Sequence, residues 1–360
     1  MAIKILYVLG ALDYCNGIAS YSMNYYKKIN RKDFDIDFAV HYDFDTEYKK
    51  EILRNDNKVF FMGDYSIKSM LGLKKRIQKL FLTNKYDIIH CHNLNVSYFY
   101  FSVAKKMGIN VRILHSHATK NSDNIIKNIR NKLLSVKGKK LATTYFSCSI
   151  MAGEYLFKKK KFTVIKNAID YNEFKYNNQV SYELKKQYEI PNDNIVLGFI
   201  GRFTNQKNIP FLLKIFEELD KSNVNYTGFF IGDGSQKFLI DDFLMKRNSN
   251  KKIFLINSTS NISSYYSLFD ILILPSLFEG LPVTGVEAQV AGCKVLVSNR
   301  VTKELNFSSK CIYLGIENVS EWVDCIISYK KENDRLNVPN DYNIDNEVLK
   351  LELLYKELLG

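Results

Sequence analysis

Short apolar runs recur along the chain with helical patterns between them, and this alternation constrains the fold more than any other feature of the sequence. Runs at Ile3–Val8, Ile36–Val40, Val59–Met62, Ile88–Cys91, Val111–His115, Thr144–Cys148 and Thr163–Lys166 read as strands. Helical periodicity lies between them, for example over Ile18–Ile29, Val96–Met107 and Ile150–Phe157. The series then restarts: strands at Ile195–Ile200, Tyr226–Ile231, Ile253–Ile256, Ile271–Leu274 and Val295–Val297 are separated by helices over Pro210–Leu219, Gln236–Arg247, Ile262–Phe269 and Val283–Ala291. Strands alternating with helices in this way build parallel sheets from strand-helix-strand units. The expected class is α/β, with two open parallel sheets in tandem.

Length agrees, because 360 residues exceed what one core usually serves. The polar stretch Asp170–Asn194, rich in Asn and Tyr, reads as the linker. That divides the chain into 1–170, 171–340 and a last segment, 341–360. The helix Asn346–Leu359 carries an apolar face at Val348, Leu349, Leu351, Leu353, Leu354, Leu358 and Leu359. It must bury that face against a neighbour, and packing back across the domain boundary is one way to do so. Ligands of open parallel sheets bind outside the carboxyl ends of the strands, so the expected site is a cleft between two facing domains.

The formal charge of +13 calls for an anionic partner: nucleic acid, a lipid surface or phosphorylated ligands. The aromatic residues form no base-stacking pattern and no nucleic-acid motif is present, so that partner is not expected. Six cysteines are scattered without a C-x-x-C pair and read as buried thiols of a reducing compartment. The N-terminal run is too short and too poorly flanked for a secretion signal, and no stretch reaches the eighteen or so apolar residues of a membrane span. The expected location is cytoplasmic, soluble or peripheral at the inner face of the membrane.

Two carboxylates flank a helix start in Glu279-Gly-Leu-Pro-Val-Thr-Gly-Val-Glu287. The stretch follows the strand Ile271–Leu274, and Pro282 suits the first turn of a helix, where a missing N–H costs nothing. Amides from about Leu281 to Gly285 then face an anion such as a diphosphate, with the positive end of the helix dipole behind them. Glu287 is placed to accept from a ribose and Glu279 from another hydroxyl. A glycosidase holds its two carboxyl groups about 5–10 Å apart across one bond. Residues eight apart on a helix lie about 12 Å and 80° off register, which favours separate contacts on one elongated ligand.

The loop Gly201-Arg202-Phe203-Thr204-Asn205-Gln206-Lys207-Asn208 follows the strand Ile195–Ile200 and sets a guanidinium five residues from an ammonium. Arg offers a planar fork to phosphate oxygens and Lys a mobile point charge, so the pair suits a leaving diphosphate. The turn Ile231-Gly232-Asp233-Gly234 reads as a tight turn, or as a place where backbone approaches a nucleotide base. Gly17, ahead of the first helix, reads as a turn residue or a close approach to phosphate. His90-Cys91-His92 and His115-Ser116-His117 each put two imidazoles on one face of a strand end. No carboxylate with ligand spacing joins them, so a cleft-facing His115 hydrogen-bonded to sugar or phosphate is expected, and no metal. The stretch Ile67–Leu82 is amphipathic, with Ile67, Met70, Leu71, Ile77, Leu80 and Phe81 on one face and Lys68, Lys74, Lys75, Arg76 and Lys79 around it. With Lys137–Lys140 and Lys158–Lys161 it suits either a core-packed helix with a wet basic side or a docking face for anionic lipid.

Taken together, Gly201-Arg202-Phe203 with Gln206-Lys207-Asn208, Gly232-Asp233-Gly234, and Pro275-Ser276-Leu277-Phe278-Glu279-Gly280-Leu281-Pro282 with Glu287-Ala288 resemble the donor half of glycosyltransferase family four, retaining enzymes of the GT-B fold. His115-Ser116-His117, Ser147-Cys148-Ser149 with Ala152-Gly153, and Val164 through Asp170 resemble the branch that builds bacterial capsular and exopolysaccharides. The resemblance implies two Rossmann-like domains and transfer of a sugar from a nucleotide diphosphate donor, most often a UDP-sugar, with the anomeric configuration kept. No metal or cofactor is implied. It assigns Arg202 and Lys207 to the diphosphate, Glu279 to a donor-sugar hydroxyl and Glu287 to the ribose. It sets Gly201, Gly232, Gly280 and Leu281 along the nucleotide sugar, Gly17 beside the phosphates and His115 near the reacting centre. The acceptor it implies is a saccharide, in some members on a lipid diphosphate carrier. The chain departs from the family at Asn16, where paired glycines are common, and at Ala168, where glycine is common after Asn. An epimerase using the same cleft and a non-catalytic sugar-nucleotide sensor are the competing expectations.

Overall fold

The computed structural model describes residues 2–14, 16–117, 134–259, 261–331, 335 and 338–360; no statement is made for the side chain of Ile67. The chain separates into two compact units, Met1–Ala168 with Ile344–Gly360, and Ile169–Asn343.

The first unit is a seven-stranded parallel sheet. Its strands are β1 (Ile3–Val8), β2 (Phe34–Val40), β3 (Val59–Phe61), β4 (Ile88–Cys91), β5 (Val111–Ser116), β6 (Thr144–Ser147) and β7 (Thr163–Val164), in the order β3-β2-β1-β4-β5-β6-β7. Alternation along β1 divides the core: Ile5 and Tyr7 face one layer of helices, Leu6 and Val8 the other. The second unit holds β8 (Ile195–Ile200), β9 (Tyr226–Ile231), β10 (Lys252–Ile256), β11 (Ile271–Leu274), β12 (Lys294–Ser298) and β13 (Cys311–Leu314), in the order β10-β9-β8-β11-β12-β13. Every residue of β8, β9 and β11 is buried, as continuous apolar runs in a sheet covered on both faces require. In both sheets the order runs outward from a central pair, β1 with β4 and β8 with β11. The chain leaves those two strands in opposite directions, and a crevice opens at their carboxyl ends.

Several sequence expectations change. The stretch read as a linker instead forms two helices, Tyr171–Phe174 and Asn178–Gln187, capped by Asp170 and Asn177, because Asn and Asp serve N-caps as readily as loops. The strand β13 carries no strong apolar pattern and goes unread in the sequence. The amphipathic stretch breaks at Gly72 into Ile67–Leu71 and Leu73–Thr83, and Leu71 is 83% exposed rather than part of the apolar face. Five described cysteines are free thiols, four of them buried; Cys15 lies outside the described residues.

The final helix, Ile344–Glu357, belongs to the first unit. Its buried stripe is Ile344, Val348, Leu351 and Tyr355, spaced by four, three and four, with Leu354 and Leu358 at its margin. Leu349, Leu353 and Leu359 fall off that stripe and are exposed, so the apolar face drawn from the sequence was too wide. Leu351 is fully buried whereas Leu353 is 58% exposed. Leu351→Ala should therefore lower unfolding free energy by about 2–5 kcal/mol, and Leu353→Ala should stay within about 0.5 kcal/mol of the parent. Equal losses in denaturant titrations would contradict this packing.

Candidate active site

In the second unit the loops after β8 and β11 meet at the crevice where strand order reverses. After β8, Gly201 adopts φ +153°, and a Cβ there would sit 3.1 Å from Lys207 Cε. Asn205–Lys207 forms a single 3-10 turn ended by Asn208 at φ 57°, which folds the Lys207 side chain back along Gly201. Gly232, at φ +151°, lies so close to this loop that a Cβ would come within 2.0 Å of Gly201 O. The reason for glycine is thus a backbone-to-backbone approach, sealed by Phe203 N–H donating to Asp233 O at 2.8 Å. The need for glycine at 232 therefore comes from this approach and not from a tight turn.

Lys207 Nζ lies 2.6 Å from Glu279 Oε1, and both side chains are largely buried. Ser276 Oγ donates to the same carboxylate at 3.1 Å and Gln206 Nε2 at 3.3 Å. Gln206 also donates to Phe278 O, and Leu277 N–H donates to Gln206 O at 2.8 Å, which stitches the two loops together. Two of the expected ligand-binding residues are therefore each other's partners. Arg202 is exposed and makes no hydrogen bond or ion pair among the described residues, so the structure does not join it to this cluster.

Gly280 and Leu281 are buried in the loop that leads into the helix Val283–Val290. Pro282 is the N-cap residue of that helix, with φ −70° and ψ 119°, one position earlier than expected. The Thr284 hydroxyl, in the first turn, is buried without a hydrogen-bond partner. One turn further on, Glu287 accepts from the Tyr266 hydroxyl at 2.6 Å. Burial pushes the Glu287 carboxyl up to about 7; the Tyr266 hydrogen bond and the Lys207 charge pull the other way, while Glu173 adds to the rise. The two carboxylates thus have separate environments, as their spacing suggested.

The first unit gathers a second polar cluster at the carboxyl ends of β4 and β5. His90 Nε2 lies 3.0 Å from His115 Nδ1, and His92 Nδ1 lies 3.0 Å from His117 Nε2. Rings of His90 and His92 stack at 4.1 Å and those of His115 and His117 at 4.2 Å, with Tyr21 edge-on to His115. Burial holds all four imidazoles well below their ordinary range, so they are neutral. His90, His92 and His115 bring ring nitrogens within 4.8 Å of one another, but the shortest contacts join the rings in pairs. The outer nitrogens of His92 and His115 and the Tyr21 hydroxyl are buried without partners. Gly17 opens the helix Gly17–Lys28, capped by Asn16 in an extended conformation, and a Cβ on Gly17 would meet nothing within 4 Å. Neither residue needs a positive φ, so the paired glycines common in the family are not required for this turn. Ala168 is likewise buried without a positive φ.

The family model described as Glycosyltransferase Family 4 matches residues 15–173, and that described as Glycosyl transferases group 1 matches residues 180–307. The chain is a glycosyltransferase. It is 26% identical over 333 residues, 90% of this chain and 86% of the relative, to a protein of Bacillus subtilis (strain 168) named as glycosyltransferase EpsF. It is 28% identical over 289 residues, 77% of this chain and 79% of the relative, to the capsular polysaccharide biosynthesis glycosyltransferase CapH of Staphylococcus aureus. The crystal structure of Anabaena HepE in complex with UDP-glucose matches with a TM-score of 0.80 at 13% identity, covering 99% of this chain and 100% of that one. At that identity the likeness is one of fold, and the fold is GT-B.

Sequence reasoning missed four residues of this glycosyltransferase's clusters. Gln206 and Ser276 stand inside motifs already singled out, and their amide and hydroxyl were the available signal. Tyr266 had none, because its link to Glu287 spans 21 residues. Tyr355, hydrogen-bonded to His90 at 2.6 Å, was legible only as the fourth member of a helical stripe.

The Glu287 environment has a pH signature. In the unfolded chain the carboxyl ionises near 4.5, in the folded protein only near 7, so between those values the unfolded state binds fewer protons and stability falls as pH rises. Relative to Glu287→Gln, the wild type should lose on the order of 3 kcal/mol across that window. Denaturant unfolding at a series of pH values reads this directly, and a difference that stays flat would show an ordinary carboxylate.

Proposed function

We propose that this glycosyltransferase moves a hexose from a UDP-sugar to a saccharide acceptor with retention, extending a capsular or exopolysaccharide repeat unit on a lipid diphosphate carrier. The observation that carries the reading is the convergence of Lys207, Glu279, Gln206 and Ser276 at the strand-order reversal, beside a helix start with Glu287 one turn inside. Lys207 is held where it can trade part of its contact with Glu279 for a phosphate oxygen. Arg202, with no partner among the described residues, supplies a bidentate fork to the same diphosphate. Glu279 accepts from a hydroxyl of the donor sugar and Glu287 from the ribose, with Tyr266 fixing the carboxylate rotamer. The amides about Gly280 and Leu281 complete the phosphate cradle at the helix N-terminus, and in the first unit His115 hydrogen-bonds a sugar or phosphate oxygen.

In this reading the bond between the anomeric carbon and the diphosphate breaks as the acceptor oxygen approaches from the same face. The acceptor's proton passes to a leaving phosphate oxygen, and Lys207 with Arg202 neutralises the charge that builds there, so no metal is called for. The capsular role of CapH and the UDP-glucose held by HepE support the choice of pathway class and donor. Lys207→Ala should lower kcat by about 10²–10³-fold, as loss of one preorganised donor does, while circular dichroism at the assay temperature stays native. Turnover within threefold of wild type would remove Lys207 from the reaction.

The reading extends to a membrane surface, where a lipid-linked acceptor resides. The helix Leu73–Thr83 and its neighbourhood expose Lys68, Lys75 and Lys79 beside Leu71, Leu82 and Phe61, the last three at 83, 69 and 54%. Lys74 packs over the Tyr98 ring, and Arg76 is committed to Met62 O and Ser69, so these two are not free for headgroups. No helix among the described residues is long and apolar enough to cross a membrane. The triple change Lys68, Lys75 and Lys79 to Ser should abolish flotation with vesicles rich in anionic lipid, and undiminished flotation would dismiss the surface.

A further inference from the structure

One hydrogen-bonded chain in the first unit runs inward from the C-terminal helix and ends at His115. The Tyr7 hydroxyl lies 2.9 Å from the Tyr355 hydroxyl, Tyr355 lies 2.6 Å from His90 Nδ1, and His90 Nε2 lies 3.0 Å from His115 Nδ1. Its last atom, His115 Nε2, is buried with no partner, as are His92 Nε2 and the Tyr21 hydroxyl beside it. All four members of the chain are fully buried.

Counting donors leaves two directions for the chain, each with one donor left over. Tyr7 has a single partner among the described residues, Tyr355, and so has one place to put its proton. If Tyr7 donates to Tyr355, then Tyr355 donates to His90 Nδ1. His90 is left with its proton on Nε2 and donates to His115 Nδ1, and His115 keeps its own proton on Nε2. Run the other way, Tyr355 donates to Tyr7 and the Tyr7 O–H is stranded in the core. A buried donor without an acceptor costs roughly 1–3 kcal/mol, so the two directions differ in where the stranded donor lies and not in how many there are. The first direction strands one N–H, that of His115 Nε2, in a polar cluster at the strand ends where ligands of open parallel sheets bind.

We propose that Tyr355 is a positioning residue: through His90 it holds His115 in the tautomer protonated on Nε2, so that His115 offers an N–H to an oxygen of the bound sugar or phosphate. Neutral imidazole presents one donor and one acceptor, and the partner of one nitrogen decides which face the other shows. His115 is therefore a fixed donor, suited to a hydroxyl or phosphate oxygen and unsuited to taking up a proton at Nε2. The C-terminal helix thereby becomes part of the first unit's binding apparatus. This rests on the ligand contact assigned to His115 above, but its test has a readout of its own.

The chain has five histidines, so 15N-histidine labelling gives a spectrum assignable with single His→Gln variants. Long-range proton–nitrogen correlation should show His115 protonated at Nε2 and bare at Nδ1 in the wild type. The opposite pattern in the wild type overturns the proposal with no variant needed. Tyr355→Phe should convert His115 to a mixture of tautomers and lower transfer by about 10–100-fold, mainly in kcat, as loss of an orienting partner does. Tyr7→Phe removes a hydroxyl from the same core but leaves Tyr355 to donate to His90, so His115 should keep its tautomer. A His115 spectrum unchanged by Tyr355→Phe, or disturbed equally by Tyr7→Phe, would reduce Tyr355 to packing. If His115→Ala transfers sugar at the wild-type rate while the tautomer results hold, the ligand role of His115 fails and the relay stands.

Discussion

Strand order in each sheet reverses once, and the rest of the molecule's polar organisation depends on that reversal. At β1 with β4, and again at β8 with β11, neighbouring strands send their following connections to opposite faces, which opens the carboxyl ends between them. Buried polar groups collect there: the histidine cluster in the first unit, and the Lys207–Glu279 pair with Glu287 in the second. A core cannot tolerate such groups unless they are partnered. What the two clusters share is that most atoms are satisfied and a few buried ones, such as Thr284 Oγ1 and His115 Nε2, are left over.

In the second unit a buried cation is held together with its counter-charge. A buried ammonium needs compensation, and Glu279 supplies it, itself steadied by Ser276 and Gln206. Removing one partner of such a pair leaves a charge uncompensated, which costs more than the pair contributes. The neighbouring carboxylate is treated differently: Glu287 has a phenol rather than a cation for its partner, and burial raises its proton affinity. Two glutamates eight residues apart thus have different partners, a cation for Glu279 and a phenol for Glu287.

Much of this was legible beforehand. Twelve of the strands were read near their observed positions because continuous apolar runs between turn residues survive any tertiary context. Arg202, Lys207, Glu279 and Glu287 were picked out because cations and carboxylates after strands have few other uses. What the sequence hid was partnership. That Lys207 faces Glu279, Tyr266 faces Glu287 and Tyr355 faces His90 depends on separations of 72, 21 and 265 residues, fixed only by the register of strands and helices. Glycines misled for a similar reason: Gly232 looked like a turn, but its lack of a Cβ serves Gly201 of the adjacent strand. The polar stretch after Asp170 misled because capping residues and loop residues are the same residues.

The C-terminal helix has a consequence for how the protein is made. Ile344, Val348, Leu351 and Tyr355 belong to a core whose other members lie between Ile5 and Ala168, so that unit is discontinuous in the chain. During synthesis the residues 169–343 emerge as an unbroken block able to close its own sheet, whereas the earlier-made portion must wait with an apolar groove open until the helix Ile344–Glu357 leaves the ribosome. Birth order and folding order are therefore inverted for the final step, and the nascent first unit is the part that calls for chaperone cover.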